Sequence, residues 1–460
     1  METVELIFKS IVFFSLLMFI VVGFHEKGHY LAARMLGIKV LKFSIGMGKE
    51  VWGRTGRTGI RYSLSALPLG GYVQMLDTSE MEPEELAEYT KEDISNSFDN
   101  APVWKRFIVV AMGPFFNLVM AFVAFAIISY GTLYIPSSKV DYASDTIVYT
   151  DASSLKIEKG DVISSINGNH VESWSDVTNE MIASLGNSDV EIEIVGKGKT
   201  TIDMTDKKIN SHTSSVNYLF GMIPHHQNYQ ATISVVGEGS PAEKAGLLAG
   251  DKILSLDNKP VANFYELSSA IEPLHGKEVN LTYERDSVTL NAIITIGSTG
   301  NPIDGLIGYL GVSPTAHDLD KSTFLVKEVG VIESMSISVD RTLKSSMLII
   351  NTLEKLIVGN VSPTSLSGAI GIADASQKAA SYGLMSFIGF VGVFSVNLMV
   401  LNLLPIKPLD GGHLFGYAIE TVIQRKVPEI VDKVITNVGI LLIAILMILG
   451  IGSDMIRIIY

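Results

Sequence analysis

The run His25-Glu26-Lys27-Gly28-His29 is an H-E-x-x-H motif. On a helix, residues four apart share a face, so His25 and His29 can offer imidazole nitrogens to one zinc at about 2.0–2.1 Å, with Glu26 beside the remaining coordination position. Zinc of this kind lowers the pKa of the water it holds toward about 7. Glu26 is then placed to take the proton and pass it to a leaving nitrogen, which is amide hydrolysis without a covalent intermediate. The plain alternative, two core histidines satisfied by hydrogen bonds, is disfavoured by position. The motif continues an apolar segment, residues 6–24, and ionisable groups at membrane depth are costly unless they bind something. Two His ligands need a third, and residues 30–45 contain no His, Asp or Glu. The sequence points instead to Asp410 in the stretch Asn402-Leu-Leu-Pro405-Ile-Lys-Pro408-Leu-Asp410-Gly411-Gly412-His413, where prolines and glycines break a helix and let the backbone aim one side chain inward. Two other readings stay open here: Asp410 as a helix N-cap, and His413 as the ligand.

The elements that must position these residues are membrane helices. Of 460 residues 47% are hydrophobic and 18% charged, and the mean hydropathy is +0.34, too apolar for a soluble chain of this length. Residues 6–24, 107–134, 384–406 and 434–451 are each near the roughly 20 residues that cross a bilayer core. A cleaved signal peptide is an unsuitable reading of the first, because Glu2 and Glu5 stand where basic residues belong. With 35 Lys plus Arg against 48 Asp plus Glu, a formal charge of −13 argues against a nucleic-acid partner. No cysteine is present, so thiol catalysis, disulfides and Cys-ligated metals are excluded.

Basic residues set the expected orientation. Arg34, Lys39, Lys42, Lys49, Arg54, Arg57 and Arg61 face a single acid, Glu50, and Lys105 and Arg106 precede the second span, so this loop is expected in the cytoplasm and residues 136–383 outside it. Residues 61–75 alternate around Gly70-Gly71 and predict a hairpin. Residues 77–99 carry nine acids against Lys91 and read as a solvated face. Further on, the segment Gly160-Asp161 to Gly168 repeats at an offset of 90 as Gly250-Asp251 to Asn258, and the match extends to Trp174/Phe264 and Val177/Leu267. Two copies of one small α/β module are predicted, each a turn, a short strand, a polar turn, a second strand and a helix. Residues 323–357 have a helical pattern interrupted by charges and are expected on the membrane surface or packed under the repeats. His225-His226 reads as an ordinary exposed loop pair.

H-E-x-G-H in a first apolar span, N-x-x-P with L-D-G-G-H in a later one, and the repeats between spans two and three resemble the site-2 protease family of intramembrane zinc metalloproteases, in particular its bacterial regulator of sigma E protease (RseP) type. The likeness extends to Phe43-Ser-Ile-Gly46-Met-Gly48, Pro68-Leu-Gly70-Gly71-Tyr72-Val73 and Gly113-Pro114-Phe-Phe-Asn117. The sequence departs from that pattern at Lys407, where the family usually has proline, and at Leu155-Lys-Ile-Glu-Lys, the lead-in to the first repeat. The resemblance implies a polytopic α-helical membrane protein of four transmembrane helices with two tandem PDZ-like α/β domains inserted between the second and third helices. It implies Zn2+ held by His25, His29 and Asp410, Glu26 as catalytic base, and Asn402 with the segment Gly70, Gly71, Tyr72 and Val73 as substrate-binding residues. The division follows: 1–35 first helix; 36–102 cytoplasmic hairpin and acidic loop; 103–136 second helix; 137–228 and 229–316 the PDZ-like pair; 317–383 an amphipathic linker; 384–413 third helix; 414–460 a cytoplasmic loop and fourth helix. Also implied are a location in the bacterial inner membrane with the PDZ-like pair periplasmic and the active site near the cytoplasmic face. As substrate the resemblance implies a single-pass membrane protein such as an already shortened anti-sigma factor, or a remnant signal peptide, and the PDZ-like pair is expected to bind peptide C-termini or to act as a size filter.

Overall fold

In the computed structural model, which describes residues 2–79, 81–150, 155–210, 213, 216–224, 227–301, 304–315, 324–425 and 428–459, the first apolar segment and the H-E-x-x-H motif form one helix, α1 (Glu2–Met35). It runs without proline through Leu, Ile, Phe and Met, and stops where Gly37 turns left-handed at φ +76°. A long pair of strands follows, β1 (Val40–Thr55) and β2 (Arg61–Met75). The other long helices are α2 (Val103–Ser129), α3 (Val331–Val358), α4 (Leu384–Asn402), α5 (Asp410–Ile423) and α6 (Glu429–Ile459). Among the described residues four helical stretches are long and apolar enough to span a bilayer: Glu5–Met35, Val103–Ser129, Leu384–Asn402 and Ile430–Ile456.

The chain divides into two units. The first comprises residues 1–131, 329–350 and 368–451. Its helices pack through small residues, as membrane helices do when lipid supplies no hydrophobic drive. A Cβ added to Gly28 of α1 would lie 2.1 Å from the Met112 carbonyl oxygen of α2, so the two backbones touch there. Ala32, Ala33 and Val109 bury beside this contact, Leu17 and Val21 of α1 pack on Phe387 and Val391 of α4, and Ala121 and Phe125 of α2 on Val396 and Val400. Within this unit α3 turns Ser334 and Ser338 inward, and the Ser338 hydroxyl donates to the Phe122 carbonyl of α2. Arg106 is buried and paired with Glu420 of α5 at 2.8 Å while its guanidinium lies 4.9 Å from the centre of the Tyr417 ring. A buried cation is tolerated there because charge and face are both answered.

The expected hairpin needs correction. Residues 61–75 do not fold back on themselves at Gly70-Gly71; they pair with β1, and the reversal lies at Gly56–Gly59, where Gly56 donates to the Ile60 carbonyl. Lys42 to Ile45 align on one side with Gln74 to Gly71 and on the other with Arg61 to Leu64. The basic segment that reads as a plain loop thus supplies the central strand. Its pattern is interrupted by Gly46 and Gly48, both at positive φ, which let it bend. The second span ends at Ser129 rather than continuing to Tyr134, which lies in the strand Gly131–Pro136. Helix α3 begins at Val331, because Phe324–Val329, rich in β-formers, is a strand paired with Gly131–Pro136. The expected loop after the third span holds a helix of its own, α5.

The second unit comprises residues 132–328, 351–367 and 452–460. It contains two four-stranded sheets of the same order, built from 163–166, 169–170, 190–194 and 198–202 in one and from 252–256, 259–260, 278–285 and 288–295 in the other. The reason is local. Asn167-Gly168 and Asp257-Asn258 each take positive φ at both positions, the requirement of a two-residue hairpin. Ser173 and Asn263 then cap the helices Trp174–Ala183 and Phe264–Ile271. Ile163, Ile166 and Ile192, like Ile253, Leu256 and Leu281, are almost wholly buried, each contributing about 1.5–3 kcal/mol. Both Gly-Asp turns are closed by a base from the neighbouring hairpin, Asp161 with Lys197 at 2.9 Å and Asp251 with Arg285 at 2.7 Å. Burial pushes the Asp251 carboxyl up, but the Arg285 guanidinium and the Leu248 N–H outweigh it and hold the group below the usual carboxylate range.

Candidate active site

Three side chains meet inside the first unit. The ligand atoms of His25, His29 and Asp410 all lie within 4.8 Å of one another, the one such group among the described residues. Helical periodicity brings the first two together: their Nε2 atoms are 3.1 Å apart. Asp410 arrives from the turn after α4, with Oδ2 3.2 Å from His25 Nε2 and 3.6 Å from His29 Nε2. It is the first residue of α5, whose cap is Leu409, so the N-cap reading does not hold.

The diglycine explains how the carboxylate is aimed. A Cβ at Gly411 would lie 2.3 Å from the backbone of Leu403 and Leu404, and one at Gly412 2.4 Å from the Lys407 nitrogen. The first turn of α5 can therefore lie directly on the 403–407 turn only with glycine at both places. From the other side Gly439 of α6 brings its backbone against the Lys407 carbonyl, and Lys407 pairs with Asp432. His413, one turn along α5, neighbours Tyr417 instead, and is not in the cluster.

Helix α2 forms the back wall. His29 Nδ1–H donates to the Val109 carbonyl oxygen at 2.9 Å, an atom that can only accept, which leaves the Nε2 lone pair free to face a cation. A Cβ at Gly113 would lie 2.2 Å from His29 Nε2 and 2.9 Å from His25 Cε1, so only glycine leaves room for both imidazoles. Asn117, one further turn along, meets His25 Nδ1 at 3.1 Å. Gly113 and Asn117 have no individual role in a reading of the sequence alone; their spacing of four in a span free of charge is the signal that could have marked them.

Glu26 is buried, and Gly71 of β2 passes close to it: a Cβ there would lie 2.8 Å from Glu26 Cγ. Among the described residues the Gly71–Met75 portion of β2 pairs only with β1, so its other edge is unpaired. Val73 packs into the cluster around Ala32 and Val109, Tyr72 is exposed with Lys42 Nζ 5.5 Å from its ring centre, and Gly70 borders a cavity of about 270 Å³ shared with Met18 and Phe19 of α1. Asn402 is the last residue of α4, half-buried, at the start of the turn that leads to Asp410. His225-His226 lie outside the described residues.

This donor set fits zinc: two imidazoles and one carboxylate, with Asp410 Oδ2 buried and lacking a well-aligned hydrogen bond. Two His and a carboxylate with a buried Glu beside them, among membrane-length helices, fit a metallopeptidase of the membrane. The model of peptidase family M50 matches residues 13–446, and the chain belongs to that family. It is 32% identical over 449 residues to the regulator of sigma E protease of Haemophilus influenzae, covering 95% of this chain and 96% of that one. It is 30% identical over 453 residues to protease RseP of Yersinia pestis, covering 97% and 98%. A Vibrio cholerae protein described as a zinc metalloprotease is 31% identical over 444 residues, covering 95% and 96%. The PDZ domain of an SdrC-like protein from Listeria monocytogenes covers 20% of this chain at 20% identity and a TM-score of 0.16, a likeness too slight to argue from. The protein is a zinc metalloendopeptidase of the site-2 protease type and a bacterial membrane protein.

Proposed function

We propose that this protease cleaves single-span membrane proteins within the bilayer near its cytoplasmic face, with His25, His29 and Asp410 as zinc ligands and Glu26 as the catalytic base. The observation that carries this reading is the meeting of those three ligand atoms from α1 and from the first residue of α5, beside a buried carboxylate. Zinc, when bound, supplies Lewis acidity that polarises the scissile carbonyl and makes the attacking water acidic. Glu26 takes the proton of that water and delivers it to the leaving nitrogen. Buried away from bulk water, Glu26 keeps that proton for the leaving group rather than losing it to solvent.

A transmembrane helix has its carbonyls tied up in i to i−4 bonds and cannot be hydrolysed in that form. An unwound segment leaves backbone groups that cost several kcal/mol each in hydrocarbon, unless the enzyme replaces their partners. The unpaired edge of Gly71, Tyr72 and Val73, running past Glu26, offers strand pairing, and the Asn402 amide, at the start of the turn that leads to Asp410, offers a further bond. Replacing Val73 by proline is expected to lower cleavage roughly tenfold, the worth of about one hydrogen bond, with zinc content unchanged. A Val73→Pro protein that holds zinc and cuts at the wild-type rate would remove the edge from the mechanism.

The two α/β modules are PDZ-like, lie outside the cytoplasm, and select substrates by capturing a newly made C-terminus or excluding bulky outer domains. In the inner membrane this makes the enzyme the second cut in an envelope stress response, acting on an anti-sigma-factor-like protein already shortened, and on remnant signal peptides. The test uses reconstituted full-length protease and one single-span substrate in two forms, with a short outer stub or a folded outer domain. Faster cutting of the stub form is expected; equal rates would leave the modules without a selecting role, and absence of cutting in both forms would overturn the function.

A further inference from the structure

We propose that Asn117 is a positioning residue for the metal centre, accepting the His25 Nδ1 proton on its amide oxygen and so keeping the His25 Nε2 lone pair directed at zinc. This rests on the reading of His25 as a ligand. The two imidazoles are held differently by α2. His29 Nδ1 faces the Val109 carbonyl, which can only accept, so its proton is on Nδ1. His25 Nδ1 faces the carboxamide of Asn117, which offers an acceptor at one end and a donor at the other.

The contact is 3.1 Å from the amide nitrogen to Nδ1, while the amide oxygen is buried with no partner. A carboxamide keeps its shape when turned by half a revolution, so hydrogen bonding decides which end meets the ring. With nitrogen toward the ring, Nδ1 must accept and the His25 proton is forced onto Nε2, which lies 3.1 Å from His29 Nε2 and 3.2 Å from Asp410 Oδ2. A protonated Nε2 cannot ligate a metal. With oxygen toward the ring, Nδ1–H donates to it, and both imidazoles present lone pairs to the same point. Asn117 has no exposed surface, so no other group can take over the task from solvent. Val109, Gly113 and Asn117 stand at intervals of four on α2, giving one face that anchors His29, clears space for both rings and orients His25.

The experiment measures zinc affinity of full-length protein in detergent by competition with a chromophoric chelator, for wild type, Asn117→Leu, Asn117→Asp and His25→Ala, with thermal unfolding of each metal-free form. Outer-shell partners of ligating histidines typically contribute 10–100-fold in metal affinity, so Asn117→Leu should lose about that much. Asn117→Asp keeps an acceptor toward Nδ1 and should stay near wild type, and the metal-free unfolding temperatures should not separate the two. Wild-type affinity in Asn117→Leu, or an equal loss in Asn117→Asp, would overturn the proposal. Nitrogen-15 histidine spectra of the zinc-loaded wild type make the decision independent of folding: a proton on His25 Nδ1 is expected, and one on Nε2 would be fatal. Undiminished zinc binding by His25→Ala would instead remove the ligand assignment itself.

Discussion

Replacing Glu26 by glutamine is expected to stop peptide-bond cleavage while leaving zinc in place. The substitution keeps side-chain length and shape, and so preserves the close passage of Gly71 against the Glu26 methylenes. It removes the one property the proposed chemistry needs, a basic oxygen beside the three candidate ligands that can hold a proton between attack and departure. General acid–base groups contribute about 10²–10⁴-fold, and Glu26 serves as base and then as acid, so the fall in kcat should be about 10³-fold or more. Zinc per chain should match wild type, because the three candidate ligands are untouched. Glu26→Gln protein that still cuts at a tenth of the wild-type rate would mean that another group moves the proton.

Asp410→Asn should lose both metal and activity. His25 and His29 are neutral when they ligate, so Asp410 brings the only negative charge among the three groups that meet. In a buried site a dication facing two imidazoles and an amide would have no anionic ligand, where electrostatic terms are least screened. Zinc should fall well below one per chain after dialysis, and cleavage should fall with it. His413→Ala is the matching comparison. It changes the other candidate of the same short stretch, whose ring lies 6.5 Å from that of Tyr417 and outside the ligand group, and should keep its zinc. Zinc retained by Asp410→Asn and lost by His413→Ala would reverse the assignment.

The contrast between these two residues shows which parts of the site could be read from the chain. Both are acids or bases in one glycine- and proline-broken stretch, and composition does not separate them. Their separation comes from contact: Gly411 and Gly412 lie on the 403–407 turn, and Gly439 presses on the Lys407 carbonyl from α6. None of these contacts leaves a periodic trace in sequence. The strand pairing was obscured for a similar reason. Residues 61–75 carry the alternation of a strand, but their partner is the stretch 40–55, whose pattern is interrupted by Gly46 and Gly48.

By itself the sequence determined what short-range geometry determines. Apolar runs long enough for a bilayer became helices, a spacing of four put His25 and His29 on one face, and matched polar turns at an offset of 90 produced two sheets of one topology. The sequence pointed to Asp410 and left His413 open; tertiary structure brought Asp410 to the two imidazoles, and alone decided that Gly71 passes Glu26 and that Val109, Gly113 and Asn117 back the rings. Periodicity reports how a residue stands relative to its own helix or strand. Which side chains meet across elements depends on how closely two backbones can approach, and here that is set by single glycines at the points of contact.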